Sequence, residues 1–458
     1  MKETYSRSKS VWQRMNARER KAAMAYGEKY KAFLDTARTE RLAAAEIIRR
    51  AEEKGFKPVY TMKSLKAGDK VYWNQKDKSV ILAVIGKEPV HEGIKIVGSH
   101  IDSPRLDLKA NPVHEQDGIV YFRTHYYGGI KKYQWTCIPL ALIGVVFTKD
   151  GKKVDINIGL KDSDPVFYVS DLLIHMAQDQ MKKTLAEGIT GEQLQAVAGT
   201  HSEEGQTPKD AIMTLLKKEY GIEEEDFAAA ELELVPATKS RDVGFDRSLI
   251  ASYGQDDRVC SFANLEAILD AKPGVKTQAA LLTDKEEIGS YGNTGMESSY
   301  FVKFVMKLLA LQGQESLLDF YETMENSEML SADVNSCLDP MFPEVSEKDN
   351  ASFLGYGVNL TKYGGSRGKA GSNDANAEFL QKVRKIFNDA GVCWQIGELG
   401  KVDQGGGGTV AKYVANQDID TIDIGVPVLS MHSPFEIVSK ADVYMAYLTF
   451  KAFCEDAE

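Results

Sequence analysis

Five short stretches hold the residues of this chain that could do chemistry. They are GSHIDSP with His100 and Asp102, YGQDDRV with Asp256 and Asp257, TDKEEIGS with Glu286 and Glu287, LSADVNS with Asp333, and LSMHSPFE with His432. Two imidazoles and three carboxylates can hold a pair of divalent cations when one carboxylate bridges them. That leaves Glu286 beside the site for proton transfer, and the whole inventory is what metal-assisted hydrolysis needs. Imidazole and carboxylate without cysteine suit zinc, cobalt or manganese better than calcium or an iron–sulfur cluster. Such a pair of ions lowers the pKa of a shared water from about 15.7 toward about 7 and stabilises a tetrahedral oxyanion.

Each stretch alone is weak. His100-x-Asp102 at a strand end puts two side chains on one side, because strand side chains repeat every second residue, and suits a ligand histidine steadied by an acid. Asp256-Asp257 precedes a helix-like run and could equally be a helix-capping pair, and either aspartate could be a ligand. Glu286-Glu287 follows the apolar run QAALLT, where adjacent buried carboxylates are costly unless a positive charge balances them. Asp333 and His432 also end apolar runs. Jointly, these stretches at strand ends, with two of only seven histidines, point to one site.

The elements that must position them read as α/β. Residues from about Ala17 to Lys54 are helical in character, with Gly55 as the stop. Strands follow at 70–75, 79–86 and 94–100, and the last delivers His100 and Asp102 to its C-terminal lip, where ligands bind in open α/β sheets. Between 104 and 241 the texture becomes alternating and aromatic, predicting an inserted, mainly β domain; its polar stretches GITGEQLQ and GIEEEDF read as solvated loop. From Gln255 strand–helix alternation returns: strands at 277–284, 328–334 and 393–397, helices at 298–313, 375–390 and 409–415, and a closing amphipathic helix. Repeated βα units imply a mostly parallel, helix-covered sheet formed by residues 1–103 and 242–458.

At 458 residues the chain is long enough for one large and one smaller domain. Its net charge of −11 argues against nucleic acid or an anionic membrane as the main partner. Five cysteines, an odd number without CxxC spacing, read as reduced thiols. The N-terminal stretch has no apolar signal core and no run approaches the ~18 apolar residues of a membrane span, so a cytoplasmic protein is expected.

The motifs SHIDSPRLDLK, GQDDRV, DKEEIGS, SAD, DQGGGGT and MHS, in this order, resemble the zinc aminopeptidases that include aspartyl aminopeptidase and yeast vacuolar aminopeptidase I. The resemblance spans nearly the whole chain. It implies a dinuclear site with two Zn2+ per subunit, Co2+ or Mn2+ being able to occupy one position. His100, Asp256 and Asp333 would bind one ion, and Asp256, Glu287 and His432 the other, which favours Asp256 over Asp257. Glu286 matches the general base and Asp102 the residue that orients His100. Substrates would be peptides with a free N-terminus. The resemblance also implies that the inserted domain, 104–241, serves as a dimerisation or lid domain in a homododecamer built from dimers, with a histidine reaching a neighbour's active site; His175 in SDLLIHMAQ matches it. The turn with Gly405 and Gly406 resembles the substrate-contacting loop. Where aspartyl aminopeptidases carry an Asn-Gln-Arg-Tyr-Ala-like motif, this chain has TKYGGSRGKAGSNDAN, closer to the vacuolar branch. Arg367 and Lys369 there are candidates to meet an acidic side chain, and the preferred first residue stays open. Competing readings are a two-metal deacylase or carboxypeptidase acting on N-acyl amino acids, and a non-catalytic shell.

Overall fold

A computed structural model describes residues 4–365 and 367–456, which form two compact units. The first comprises the chain up to Asp102, Ser240–Met431 and the segment from Phe435; the second comprises Ser103–Lys239 with His432–Pro434.

The first unit is built on a nine-stranded sheet. Its spatial order is Lys57–Pro58, Lys70–Gln75, Ser79–Val84, Thr277–Thr283, Ile94–His100, Glu328–Ala332, Asp420–Gly425, Val358–Thr361 and Trp394–Ile396. The three pairings around Ile94–His100 and Glu328–Ala332 are parallel, as the βα alternation predicts, with antiparallel neighbours further out. Strands Ser79–Val84, Ile94–His100, Thr277–Thr283 and Glu328–Ala332 are buried along their whole length. That is why they read as unbroken apolar runs: both faces are covered.

Alternation along each strand divides the core into two layers. Leu82, Val97, Leu282 and Leu330 pack with the helices Ala17–Thr36, Glu40–Glu53, Gln255–Asp270 and Lys440–Glu455. Their neighbours Ile81, Ile96, Leu281 and Met329 pack on the other face with Tyr300–Leu311 and with Phe320 and Met324. A second sheet of this unit orders Arg241–Val243, Leu249–Ser252, Glu436–Ser439, Pro427–Leu429 and Asn335–Ser336. Among the described residues no helix is long and apolar enough to cross a membrane.

The second unit is mainly β, as expected. Strand Ala230–Pro236 pairs antiparallel with both Arg105–Gln116 and Pro139–Phe147. Through Ile119–Tyr127, Gln195–Gly199 and Phe167–Val169 the pairings return to Pro139–Phe147, so the sheet closes on itself. Closure pairs both edges of those strands, and Lys153–Ile158, paired among the described residues only with Pro139–Phe147, remains an edge.

Three segments differ from the sequence reading. The helical stretch 17–54 breaks into Ala17–Thr36 and Glu40–Glu53, because Thr39 caps the second helix through Leu42 N. Residues Pro208–Tyr220 form a helix with a Thr207–Asp210 capping box. The stretch GIEEEDF is not a solvated loop: Asp226 and Phe227 are buried in a turn, and Asp226 accepts Lys149 N at 2.8 Å. An acidic composition hid that Ile222, Asp226 and Phe227 turn inward, while Glu224 and Glu225 stay exposed.

Phe262 sits fully buried among Tyr26, Tyr30 and Phe33, with ring centroids 5.2, 5.3 and 5.2 Å away. Removing that ring leaves a cavity under the N-terminal helix. Phe262→Ala should cost about 3–5 kcal/mol, read as a lower midpoint in chemical denaturation.

Candidate metal centre

Parallel register decides where the motifs emerge. Thr283 pairs with His100 and Ser331 with Gly98, so neighbouring strands end side by side. Just past those ends the chain carries Asp102, Glu286 with Glu287, and Asp333. Asp333 N donates to Ile424 O at 2.9 Å. A Cβ on the adjoining Gly425 would lie 1.5 Å from Asp333 O, so only glycine lets the two segments approach this closely.

His100 is the hub. Its Nε2 lies 3.1 Å from Asp256 Oδ1, 3.5 Å from Asp333 Oδ1 and 3.9 Å from Glu286 Oε2. Ligand atoms of His100, Glu286 and Asp333 lie within 4.8 Å of one another, as do those of His100, Asp256 and Glu287. Four of the residues singled out from the sequence, Asp256, Glu286, Glu287 and Asp333, therefore converge on one imidazole.

Asp102 has left the strand, yet its fully buried carboxylate turns back to the site. Oδ1 lies 3.2 Å from His100 Nδ1, and the Asp102 carbonyl lies 3.1 Å from the same nitrogen. The same carboxylate accepts the amides of Glu286 and Glu287 at 3.2 and 3.3 Å. The second role had no signal in the sequence, because it depends on the 3₁₀ turn Glu286–Ile288 folding over Asp102.

The adjacent aspartates part company. Both depart from helical backbone values, so their side chains do not follow helix spacing. Asp256 faces His100 Nε2, whereas Asp257 Oδ2 accepts the His100 backbone amide at 3.4 Å. Glu436, the last residue of LSMHSPFE, accepts Gln255 N at 2.6 Å and Asp256 N at 3.3 Å. It steadies the start of that turn and was not picked out as functional from the sequence.

Electrostatics test whether a cation fits. Burial, reinforced by Asp333, pushes the Glu286 carboxyl up to about 8. Burial likewise raises Asp333 and Asp257. Burial opposes charge on His100, but Asp333, Asp102 and Asp256 outweigh it and raise its pKa well above the ordinary value. His100 Nε2 is buried and makes no hydrogen bond of good geometry among the described residues, although carboxylates surround it. A nitrogen aimed into a cluster of buried acids is a donor set suited to a divalent cation, and imidazole with carboxylate suits zinc.

His432 belongs to the second unit, where its Nδ1 donates to Gly129 O at 2.7 Å, a bond that leaves the lone pair on Nε2. His175 is exposed, within the 3₁₀ turn Ile174–Met176, among the exposed side chains Leu172, Leu173, Ile174 and Met176. Arg367, Lys369, Gly405 and Gly406 line one cavity of about 170 Å³ in the first unit, together with Tyr363 and Glu398. Lys369 Nζ lies 3.8 Å from the centroid of the Tyr363 ring and 3.1 Å from Asp374 Oδ2. A Cβ at Gly405 would lie 1.8 Å from Leu399 O, so the glycine allows the two loops to meet. Thr409 at the end of the glycine run donates to the buried Asp423 at 2.6 Å.

Comparison with known proteins gives the family. Residues 33–454 match the family model of the aminopeptidase I zinc metalloproteases, M18. A probable M18 family aminopeptidase 1 of Clostridium acetobutylicum is 47% identical over 453 residues, covering 97% of each chain. The crystal structure of an M18 aminopeptidase from Thermotoga maritima superimposes with a TM-score of 0.94 at 42% identity, covering 98% of this chain and 99% of that one. The mature aminopeptidase 1 dodecamer of Saccharomyces cerevisiae shares the fold, with a TM-score of 0.74 at 20% identity over 93% of this chain and 95% of that one. Matched over more than nine-tenths of its length, the chain belongs to the M18 family of zinc aminopeptidases.

Proposed function

We propose that the chain is a dinuclear zinc aminopeptidase that hydrolyses the first peptide bond of substrates with a free N-terminus. The observation that carries this reading is the convergence of His100, Asp256, Glu286, Glu287 and Asp333 at the ends of neighbouring parallel strands. His100, Asp256 and Asp333 would hold one ion, and Asp256, Glu287 and His432 the other, as the motif resemblance assigns them. When bound, zinc supplies Lewis acidity, polarising the scissile carbonyl and lowering the pKa of water.

The chain's own groups do the rest. Glu286 takes a proton from the attacking water and passes it to the leaving amine. Asp102 keeps the proton of His100 on Nδ1, so that Nε2 presents its lone pair, and holds the Glu286–Glu287 turn in place. Arg367 and Lys369, with the Gly405–Gly406 backbone, line the cavity that would contact substrate. The exposed apolar run around His175 supports assembly through a second copy of the chain, with a homododecamer as the end state, the form in which the S. cerevisiae relative was solved.

Chelated protein should lose cleavage of aminoacyl p-nitroanilides and regain it with zinc, cobalt or manganese, while N-acetylated peptides stay intact. Cleavage confined to N-acylated substrates would sink the aminopeptidase reading. Glu286→Gln should lower kcat by about 10²–10⁴-fold with bound zinc unchanged. Asp102→Asn should weaken zinc about 10–100-fold in competition with a chromogenic chelator.

A further inference from the structure

Among the described residues, the buried lysines and arginines of the first unit each meet a carboxylate, except Arg258. Lys440, 0% exposed, has Glu28 at 2.9 Å and Asp242 at 2.8 Å. Lys95, 2% exposed, has Asp456 at 2.6 Å. Arg258, the exception, lies against Arg38, whose single ion pair is with Asp35. Each arginine is 1% exposed. Arg38 lies in the break between the helices Ala17–Thr36 and Glu40–Glu53, and Arg258 directly follows Asp257. Arg258 Nη2 donates to Arg38 O at 3.0 Å, so the two residues are neighbours.

The Nε and Nη1 groups of both guanidiniums are buried and have no hydrogen-bond partner among the described residues. One carboxylate reaches the pair. Asp35 Oδ1 lies 2.9 Å from Arg38 Nη2, is 34% exposed at its side chain, and already accepts Ser240 N at 2.8 Å. Among the described residues Arg258 meets no carboxylate; its contacts are the Arg38 carbonyl and the Tyr253 ring, 5.3 Å from its guanidinium. A guanidinium stays charged in proteins and, buried, demands a counter-charge or a full set of acceptors. Two side by side in a low-dielectric interior repel each other as well. Four buried donor nitrogens on two cations, against one half-committed carboxylate, make a site of positive potential with open hydrogen bonds.

We propose that Arg38 and Arg258 bind a small inorganic anion, of the size of chloride or bicarbonate, as a permanent structural ligand. The anion accepts from the Nε and Nη1 groups that the protein leaves open. Its effect is on position. By neutralising Arg258 it holds the chain segment that aims Asp256 at the His100 ring and Asp257 at the His100 amide. The proposal rests on these two arginines and stands whether or not the proposed reaction does.

The test uses the full chain, exchanged into a buffer whose only anion is gluconate, which is too large for such a site. Thermal unfolding is followed while chloride, bromide or bicarbonate is added in separate titrations. A saturable rise in Tm of roughly 3 °C at a hundredfold excess over Kd is expected for at least one of them, and its identity names the ion. Arg258→Gln should abolish the saturable part. Because that variant could lose its fold, a second measurement uses unmodified protein. Crystals grown in bromide should show an anomalous peak within hydrogen-bonding distance of Arg38 and Arg258 if the ion is a halide; crystals grown in bicarbonate should show a planar oxyanion there if it is not. A linear, unsaturating response to all three salts, with only water beside the two guanidiniums, would overturn the proposal.

Discussion

One buried carboxylate connects the two halves of the candidate metal centre. Asp102 faces the His100 ring and two amides of the Glu286–Glu287 turn, and it is wholly out of solvent. Burying a carboxylate is expensive unless its lone pairs are used, and here they are used on the segments whose positions matter most. The ring is thereby oriented with Nε2 toward Asp256, Asp333 and Glu286. The turn is held so that both glutamate side chains come within reach of that nitrogen. Fixing the histidine and fixing the glutamates are thus one event.

That arrangement needs a rigid base, and the sheet supplies it. Its central strands are buried on both faces, and their odd and even residues belong to different core layers. A one-residue slip of Thr277–Thr283 against Ile94–His100 would exchange every side chain between layers. The same slip would move Glu286 and Glu287 by a residue relative to His100, so packing and catalytic geometry are protected by the same register. The close approach at Gly425 and Asp333 extends this logic to the next strand.

Charge is concentrated in this unit to an extent that solvent would normally prevent. Acids gathered around His100 form a negative pocket suited to divalent cations, and burial raises the carboxyls that share it. Behind the Asp256–Asp257 segment lies the opposite situation, two buried guanidiniums with open donors. A cation site backed by a cationic pair is hard to hold together with protein charges alone, which gives a small anion there its structural reason.

Much of this was legible in the sequence. The apolar runs that became buried strands, the inserted β region and the residues gathered at the site could be read from local composition, because side-chain type and period are local properties. The motif set also carried the family. Other features were decided only by tertiary structure. Which of Asp256 and Asp257 faces the imidazole depends on a non-helical backbone, and the Asp102 bonds to Glu286 and Glu287 depend on two strands ending side by side. Glu436 beneath Asp256, the inward turn of Asp226 and Phe227, and the meeting of Arg38 with Arg258 all join segments brought together by folding. By itself the sequence determined which chemical groups were available and the elements that carry them. Their distances and electrostatic surroundings were set by register and burial, because those arise from long-range packing that no local stretch encodes.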